Sequence, residues 1–369
     1  MKRLRIVELY AGTGRSLEPF RRWRRAEVAL LVDNNPLAAD TYRYNFENAP
    51  YAVIDLATAQ PSVVLGLSGK IDVLLGCPPC QGFSDVGKRD PADPRNAHLR
   101  YFARIASAAR PLAIGMENVP LAAASAEFRR FVRRFERLGY AWTAGILNAA
   151  LHGSSQCRQR LIYVAIHKDV GTIPKLARAT HGGSERYFSY FSGKLETIAS
   201  DRVRMLGEAP SSRRTANSLP YRETALGSHP IPTVGDALDD LPALGTAASK
   251  RINHFAWAHT TLMLRRMGAV AEGGRWSGGV DHYSHTYARL HRRGLARTIT
   301  NFFPNPGSGR FWHPIENRTL SLREAARLQG FSDDFVFLPH FSKAAHLVGN
   351  ALDASLAQIT FDAIRNALD

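Results

Sequence analysis

The chain has 369 residues and 45% hydrophobic content, enough to bury a substantial core in one large domain plus one smaller one. Its 48 Lys and Arg against 32 Asp and Glu give a net charge of +16, which favours a polyanionic partner. Three cysteines argue against a disulfide framework and for a reducing compartment, and no stretch is long enough to span a membrane.

The start, Met1-Lys-Arg-Leu-Arg5, is basic, but the apolar run after it is short and broken by Glu8, so it reads as a first strand over Leu4 to Leu9 rather than a signal peptide. The turn Tyr10-Ala-Gly12-Thr-Gly14-Arg15 follows, then a helix from about Ser16 to Arg25. Strand, glycine turn and helix is the arrangement that lets a backbone approach a ligand closely. A second apolar run, Val28 to Val32, ends in Asp33, about 20 residues past the glycines, where a carboxylate can accept ribose hydroxyls. Asp33 also suits the N-cap of a helix beginning near Pro36. A third strand, Tyr51 to Ile54, ends in Asp55, which suits an adenine amino group.

Ile71 to Leu75 reads as a buried parallel strand that stops at Gly76 and opens into Cys77-Pro-Pro79-Cys80. The prolines fix φ and offer no N–H, so they hold the next thiol in a set direction. Cys80 then sits just past the end of a buried strand, where open α/β sheets place their ligands. The Cys-x-x-Cys spacing also fits a redox or zinc pair, and the loop also fits a structural turn. The following stretch, Gln81 to Arg95, is punctuated by Gly and Pro and carries Ser84, Lys88, Arg89 and Arg95, as a phosphate-seeking loop or a solvated one does.

Asn96 to Ala109 reads as helix and Leu112 to Met116 as strand, which places Glu117 at the ligand edge. Ala122 to Leu138 reads as an amphipathic helix with Phe128, Phe131, Val132, Phe135 and Leu138 on its apolar stripe. Its Arg129, Arg130, Arg133, Arg134 and Arg137 read as a solvated face. Leu161 to Ile166 is a further strand led in by Gln156-Cys-Arg158-Gln-Arg160. Residues two apart on an extended chain share a face, so Arg158 and Arg160 are expected to project together and Cys157 away from them. Residues 169–310 are rich in Gly, Ser, Pro and His with weak periodicity, an irregularity that is usually functional. Glu272 to Tyr283, with Arg275, and Thr300 to Trp312 mix glycines, aromatics and cations as groove-entering loops do. Ser321-Leu-Arg-Glu324 is a capping-box pattern opening a helix that stops at Gly330, and a last helix runs from about Ala354 to Leu368.

Gly76-Cys-Pro-Pro-Cys-Gln-Gly-Phe-Ser84, Met116-Glu-Asn-Val-Pro120, Gln156-x-Arg158-x-Arg160 and Arg323-Glu-Ala-Ala-Arg-Leu-Gln-Gly-Phe331 resemble motifs of the DNA (cytosine-5)-methyltransferase family, in that family's order. The resemblance implies an α/β, Rossmann-like methyltransferase sheet with helices on both faces, plus a smaller, irregular target-recognition domain. The catalytic domain would comprise residues 1–168 and 343–369. Residues 169–342, with the buttressing helix 321–330, would form the recognition region. It implies S-adenosyl-L-methionine as cofactor, S-adenosyl-L-homocysteine as product, and cofactor contacts from Tyr10, Gly12, Gly14, Asp33, Asn34, Asp55, Pro79 and Asn350. Cys80 would be the nucleophile adding to carbon 6 of a flipped cytosine. Glu117, with its pKa raised by burial, would meet the charge at N3. Arg158 and Arg160 would hold the base's O2 and brace the site. Ser84, Lys88, Arg89 and Arg275 would contact DNA. Cytoplasmic localisation, a monomer on double-stranded DNA and a cognate restriction endonuclease follow the same resemblance. An RNA cytosine-5 methyltransferase and a catalytically weak DNA-binding relative remain as rivals. The sequence departs from the family in having Arg15 where a glycine is usual, and Asn34 where an aromatic residue usually follows the acidic one.

Overall fold

The computed structural model describes residues 3–47, 50–79, 97–183, 185–190, 192–197, 221–222 (backbone), 226–278, 286–338 and 341–369. Eight strands form one sheet in the order β11-β6-β8-β5-β4-β1-β2-β3. These are β1 (Leu4–Leu9), β2 (Ala26–Asp33), β3 (Tyr51–Val53), β4 (Val73–Gly76), β5 (Ala113–Asn118), β6 (Tyr140–Asn148), β8 (Gln159–His167) and β11 (Tyr221–Arg222). Neighbours pair in parallel except β8, which is antiparallel to both β5 and β6. A two-residue strand, β7 (Gln156–Cys157), precedes β8 and pairs with β12 (Ala296–Arg297) outside this sheet.

The central strands are apolar on both sides because helices cover both faces. Alternate residues go to opposite cores: Val7, Leu9 and Leu74 pack with α3 (Pro61–Ser68), α4 (His98–Ala109) and α5 (Ala126–Arg137). Ile6, Val73 and Leu75 pack with α1 (Glu18–Arg21), α2 (Pro36–Asn45) and the C-terminal helix Ala354–Leu368. A third core gathers Phe303, Phe311, Leu320, Phe331, Phe335 and Phe337 around helices Leu322–Leu328 and Phe341–Asn350. No described helix is long and apolar enough to cross a membrane.

Several elements differ from their sequence reading. The helix expected from Ser16 to Arg25 is a 3-10 turn, Arg15–Leu17, followed by the single turn of α1. Its last residues, 22–25, form the turn that brings the chain back to the sheet, where Ala26 pairs with Leu4. The helix expected from Ala122 splits into a 3-10 turn, Pro120–Ala124, and α5, because Ser125 is extended and its hydroxyl accepts the Phe128 N–H at 3.0 Å. The apolar stripe is as expected: Phe128, Phe131, Val132 and Phe135 are buried, and the five arginines are exposed. β6 has no sequence counterpart above, because its Ala- and Gly-containing sequence lacks a clear period. Helix Phe341–Asn350 was also unforeseen. It buries Ala344, Ala345, Leu347 and Val348 in the third core.

The aromatics of the 300–312 stretch also depart from expectation. Phe303, Phe311 and Trp312 are buried, and Arg310 donates to the carbonyls of Gly273, Gly274 and Arg289, so much of 300–312 is core rather than groove-entering loop. Phe302 is exposed. A buried aromatic cluster offers the area a short, irregular segment needs to stay folded.

Candidate active site

The sheet collects the chemistry-bearing residues at one edge. β1, β2, β3, β4 and β5 run parallel and end there in Tyr10, Asp33, Val53 (two residues before Asp55), Cys77 and Glu117-Asn118. β8 runs the other way and begins at the same edge, where Leu161 stands opposite Asn118 and places Arg160 beside it.

At the end of β1 the backbone turns sharply: Tyr10, Gly12 and Gly14 have φ of 56°, 50° and 73°. Gly14 is required, since a Cβ there would lie 2.3 Å from the Tyr42 ring. Gly12 differs, because a Cβ there would meet nothing within 4 Å, leaving an open cradle over the turn. The Gly12 N–H donates to Asp33 Oδ2 at 3.0 Å, and the Asn35 N–H donates to Asp33 Oδ1 at 2.9 Å. Each carboxylate oxygen keeps a lone pair for a ligand hydroxyl. Burial raises the Asp33 pKa, opposed by these backbone N–H groups. Asn35, not Asp33, caps α2, by accepting the Leu37 N–H. Tyr10 packs edge-on against His98, and Asp55 is exposed with its Oδ1 held by the Ala57 N–H. Asn34 is exposed, as is Asn350 at the end of its helix.

Among the described residues, two buried oxygens beside the turn have no partner, Thr13 Oγ1 and Glu8 Oε2. The open cradle, the paired carboxylate oxygens and these orphaned atoms fit a polar adenosyl ligand. Glu8 is 1% exposed, and burial, with Asp33 adding repulsion against the hydrogen bond from Ser16, pushes its pKa up to about 8. The folded protein therefore keeps this proton while the unfolded chain loses it, so stability should fall as pH rises from about 4.5 to 8. In unfolding by urea without added ligand, Glu8→Gln should flatten that decline and exceed the parent by about 2–4 kcal/mol at pH 8. Parallel pH curves for the two proteins would refute the assignment.

On β5, Glu117 accepts from Arg160, with Nε 2.7 Å from Oε1 and both side chains 14% exposed. Asn118, which sequence reasoning gave no role, donates from Nδ2 to the Pro78 carbonyl at 3.3 Å and anchors the start of the cysteine loop. Its only signal was its place after Glu117 in a quoted motif. Cys77 is partly buried 3.7 Å from Ser16 Oγ, and burial together with Glu117 and Glu8 holds its thiol well above the usual range. Pro79 is partly buried. Cys80, Ser84, Lys88 and Arg89 lie outside the described residues.

Arg158 and Arg160 do not project together. Arg158 falls in the break between β7 and β8, which interrupts the two-residue alternation. It is 3% exposed and donates to the carbonyls of Ile299 at 3.1 Å and Ala351 at 2.9 Å, tying the β7–β8 break to the third core. Gln156, fully buried, was also given no role. Its Nε2 reaches the Leu328 carbonyl, Gln329 Oε1 and Asp353 Oδ2 at 2.8–2.9 Å, and its Oε1 accepts the Ile299 N–H. Its presence in the quoted motif was the only sequence signal. Arg275 is half-buried and bridges Ala288 by its backbone.

The fold agrees with that of a known protein. A solved E. coli DNA modification methyltransferase encoded within a prophage superposes with a TM-score of 0.66 at 21% identity, over 99% of each chain, which concerns the fold. Type II methyltransferase M1.HphI of Haemophilus parahaemolyticus is 30% identical over 98% of this chain and 86% of the relative. M.DdeI of Desulfomicrobium norvegicum is 26% identical over 96% and 87%. The model of the C-5 cytosine-specific DNA methylase family matches residues 4–366, and the chain belongs to that family.

Proposed function

We propose that this DNA cytosine-5 methyltransferase works through Cys80 as nucleophile, Glu117 as the acid at N3 and the Gly12–Gly14 turn with Asp33 as cofactor cradle. What supports the reading is the convergence at one sheet edge of the Glu117–Arg160 pair, the Asn118-anchored start of the cysteine loop and the open glycine turn. Tyr10, Asp55, Asn34, Pro79 and Asn350 would line the rest of the cofactor site, and Arg158 would brace it. S-adenosylmethionine, when bound, supplies an electrophilic methyl group and leaves as S-adenosylhomocysteine.

The target cytosine must leave the duplex stack before its ring can be reached. The Cys80 thiolate then adds to carbon 6, and the electron pair of the 5,6 double bond moves toward carbon 5. Glu117 protonates N3 as charge develops there, and Arg160 fixes the carboxyl's orientation. After methylation at carbon 5, a base removes the carbon-5 proton, the double bond re-forms as the thiolate leaves, and the N3 proton returns to Glu117. Duplex recognition falls to residues 169–342, which include Arg275, and to the separate loop carrying Ser84, Lys88 and Arg89. The type II relatives suggest a restriction–modification setting with a cognate endonuclease, and the enzyme would act in the cytoplasm as a monomer on DNA.

DNA carrying 5-fluorocytosine at the target tests the covalent route. Fluorine cannot leave as a cation, so elimination stops with sulfur attached to carbon 6. An adduct that survives denaturation, requires the cofactor and weakens strongly in Glu117→Gln is expected. Methylation of ordinary DNA with no adduct on the fluorinated substrate would rule the route out.

A further inference from the structure

The residue after Gly14, where the family usually has glycine, is an arginine with an interior destination. Arg15 is 5% exposed, pairs with Glu18, and donates from Nη2 to the Gly330 carbonyl at 2.6 Å. Its guanidinium lies 4.5 Å from the centre of the Phe331 ring. Burying a guanidinium is costly unless ion pairing, a carbonyl and an aromatic face offset it; all three are present here, while Nε has no partner among the described residues. Gly330 lies 315 residues away in sequence.

The far end of this contact is a structural junction. Gly330 has φ 78° and closes helix Leu322–Leu328, and a Cβ there would lie 2.6 Å from Ala354 Cβ and 3.5 Å from Arg15 Nη2. The preceding Gln329 donates to the Val348 carbonyl at 2.9 Å and receives Gln156. Phe331 packs inside the third core with Phe335 and Phe337. One guanidinium therefore joins the glycine turn to the end of the recognition-side core.

We propose that Arg15 is a positioning residue that holds the glycine turn and the 330–331 turn in one arrangement, so that the adenosyl ligand and duplex DNA each favour binding of the other. The proposal rests on the cofactor reading of the glycine turn. Coupling of this kind is reciprocal and needs an element that both sites bias. The planar fork matters because it donates to Gly330 and stacks on Phe331 at once, which an ammonium cannot do.

Anisotropy would measure duplex affinity with and without S-adenosylhomocysteine, and calorimetry the reverse, for the parent, Arg15→Ala, Arg15→Lys and Phe331→Leu. In the parent the ligand should tighten DNA binding about tenfold, and DNA should tighten the ligand equally. Arg15→Ala should bring that factor close to one while each ligand alone binds within about threefold of the parent. Arg15→Lys and Phe331→Leu should fall between, and they carry the test if Arg15→Ala fails to fold in a thermal melt. Parent-sized coupling in the variants, or none in the parent, overturns the clasp. No S-adenosylhomocysteine binding in the parent would overturn the cofactor reading and the clasp with it.

Discussion

Cys80→Ala is expected to abolish methyl transfer while duplex DNA and S-adenosylhomocysteine still bind within about threefold of the parent, because the thiol acts by bond formation rather than affinity. Cys77→Ala should keep most of the activity. The physical contrast is in the surroundings: Cys77 faces Ser16, Glu117 and Glu8, and burial, with Glu117 adding to it, holds its thiol well above the usual range, so the sulfur stays protonated. A protonated thiol is a poor nucleophile. The prolines 78 and 79 carry the chain on from that site, and Asn118 clamps the Pro78 carbonyl, which fixes the start of the loop. Rates in single turnover would separate the two variants. Equal losses in both would sink the choice of Cys80.

The largest stability effect is expected from Arg318→Met, at about 3–5 kcal/mol at pH 7. Glu324 is 2% exposed and receives a two-pronged contact from Arg318, with both N–O distances at 2.7 Å, beside His254 Nε2 at 3.2 Å. It also accepts the Ser321 N–H at 2.7 Å, completing the capping box of helix Leu322–Leu328. Burial works against the charge, but Arg318 and His254 outweigh it and hold Glu324 well below the usual carboxylate range. That contribution is present above about pH 4.5 and is lost as pH falls toward the folded value, so the parent weakens in acid. Without Arg318 a carboxylate is left buried and uncompensated. Protonation relieves it, so the gap between variant and parent should narrow from pH 7 to pH 4.5. Urea unfolding at the two pH values reads both effects, and a loss below about 1 kcal/mol at pH 7 would mean that the pair is dispensable.

Local order was legible wherever a short apolar run met a breaker. Leu4–Leu9 before the glycine turn, Ser321 with Glu324 three residues on, and Ala354–Leu368 are where the pattern puts them, because alternation and capping are properties of neighbouring residues. The apolar runs of β2, β4 and β5 end at one sheet edge, so the placement of Asp33, Cys77 and Glu117 on that edge followed from parallel pairing alone.

What neighbours in sequence could not specify is where a long polar side chain ends. Arg158 and Arg160 share a motif and a spacing, yet one braces carbonyls at 299 and 351 and the other pairs with Glu117, because a break in the strand separates them. The end of helix Leu322–Leu328 likewise joins Gln156, Gln329 and Asp353, contributed from three distant segments. The sequence by itself determined the methyltransferase sheet and the order of its motifs. Only the tertiary structure decided that Arg15 reaches Gly330, that Gln156 serves the junction and that Asn118 anchors the cysteine loop. A buried hydrogen bond is set by the position of its acceptor, and these acceptors come from chain segments that folding alone brings near.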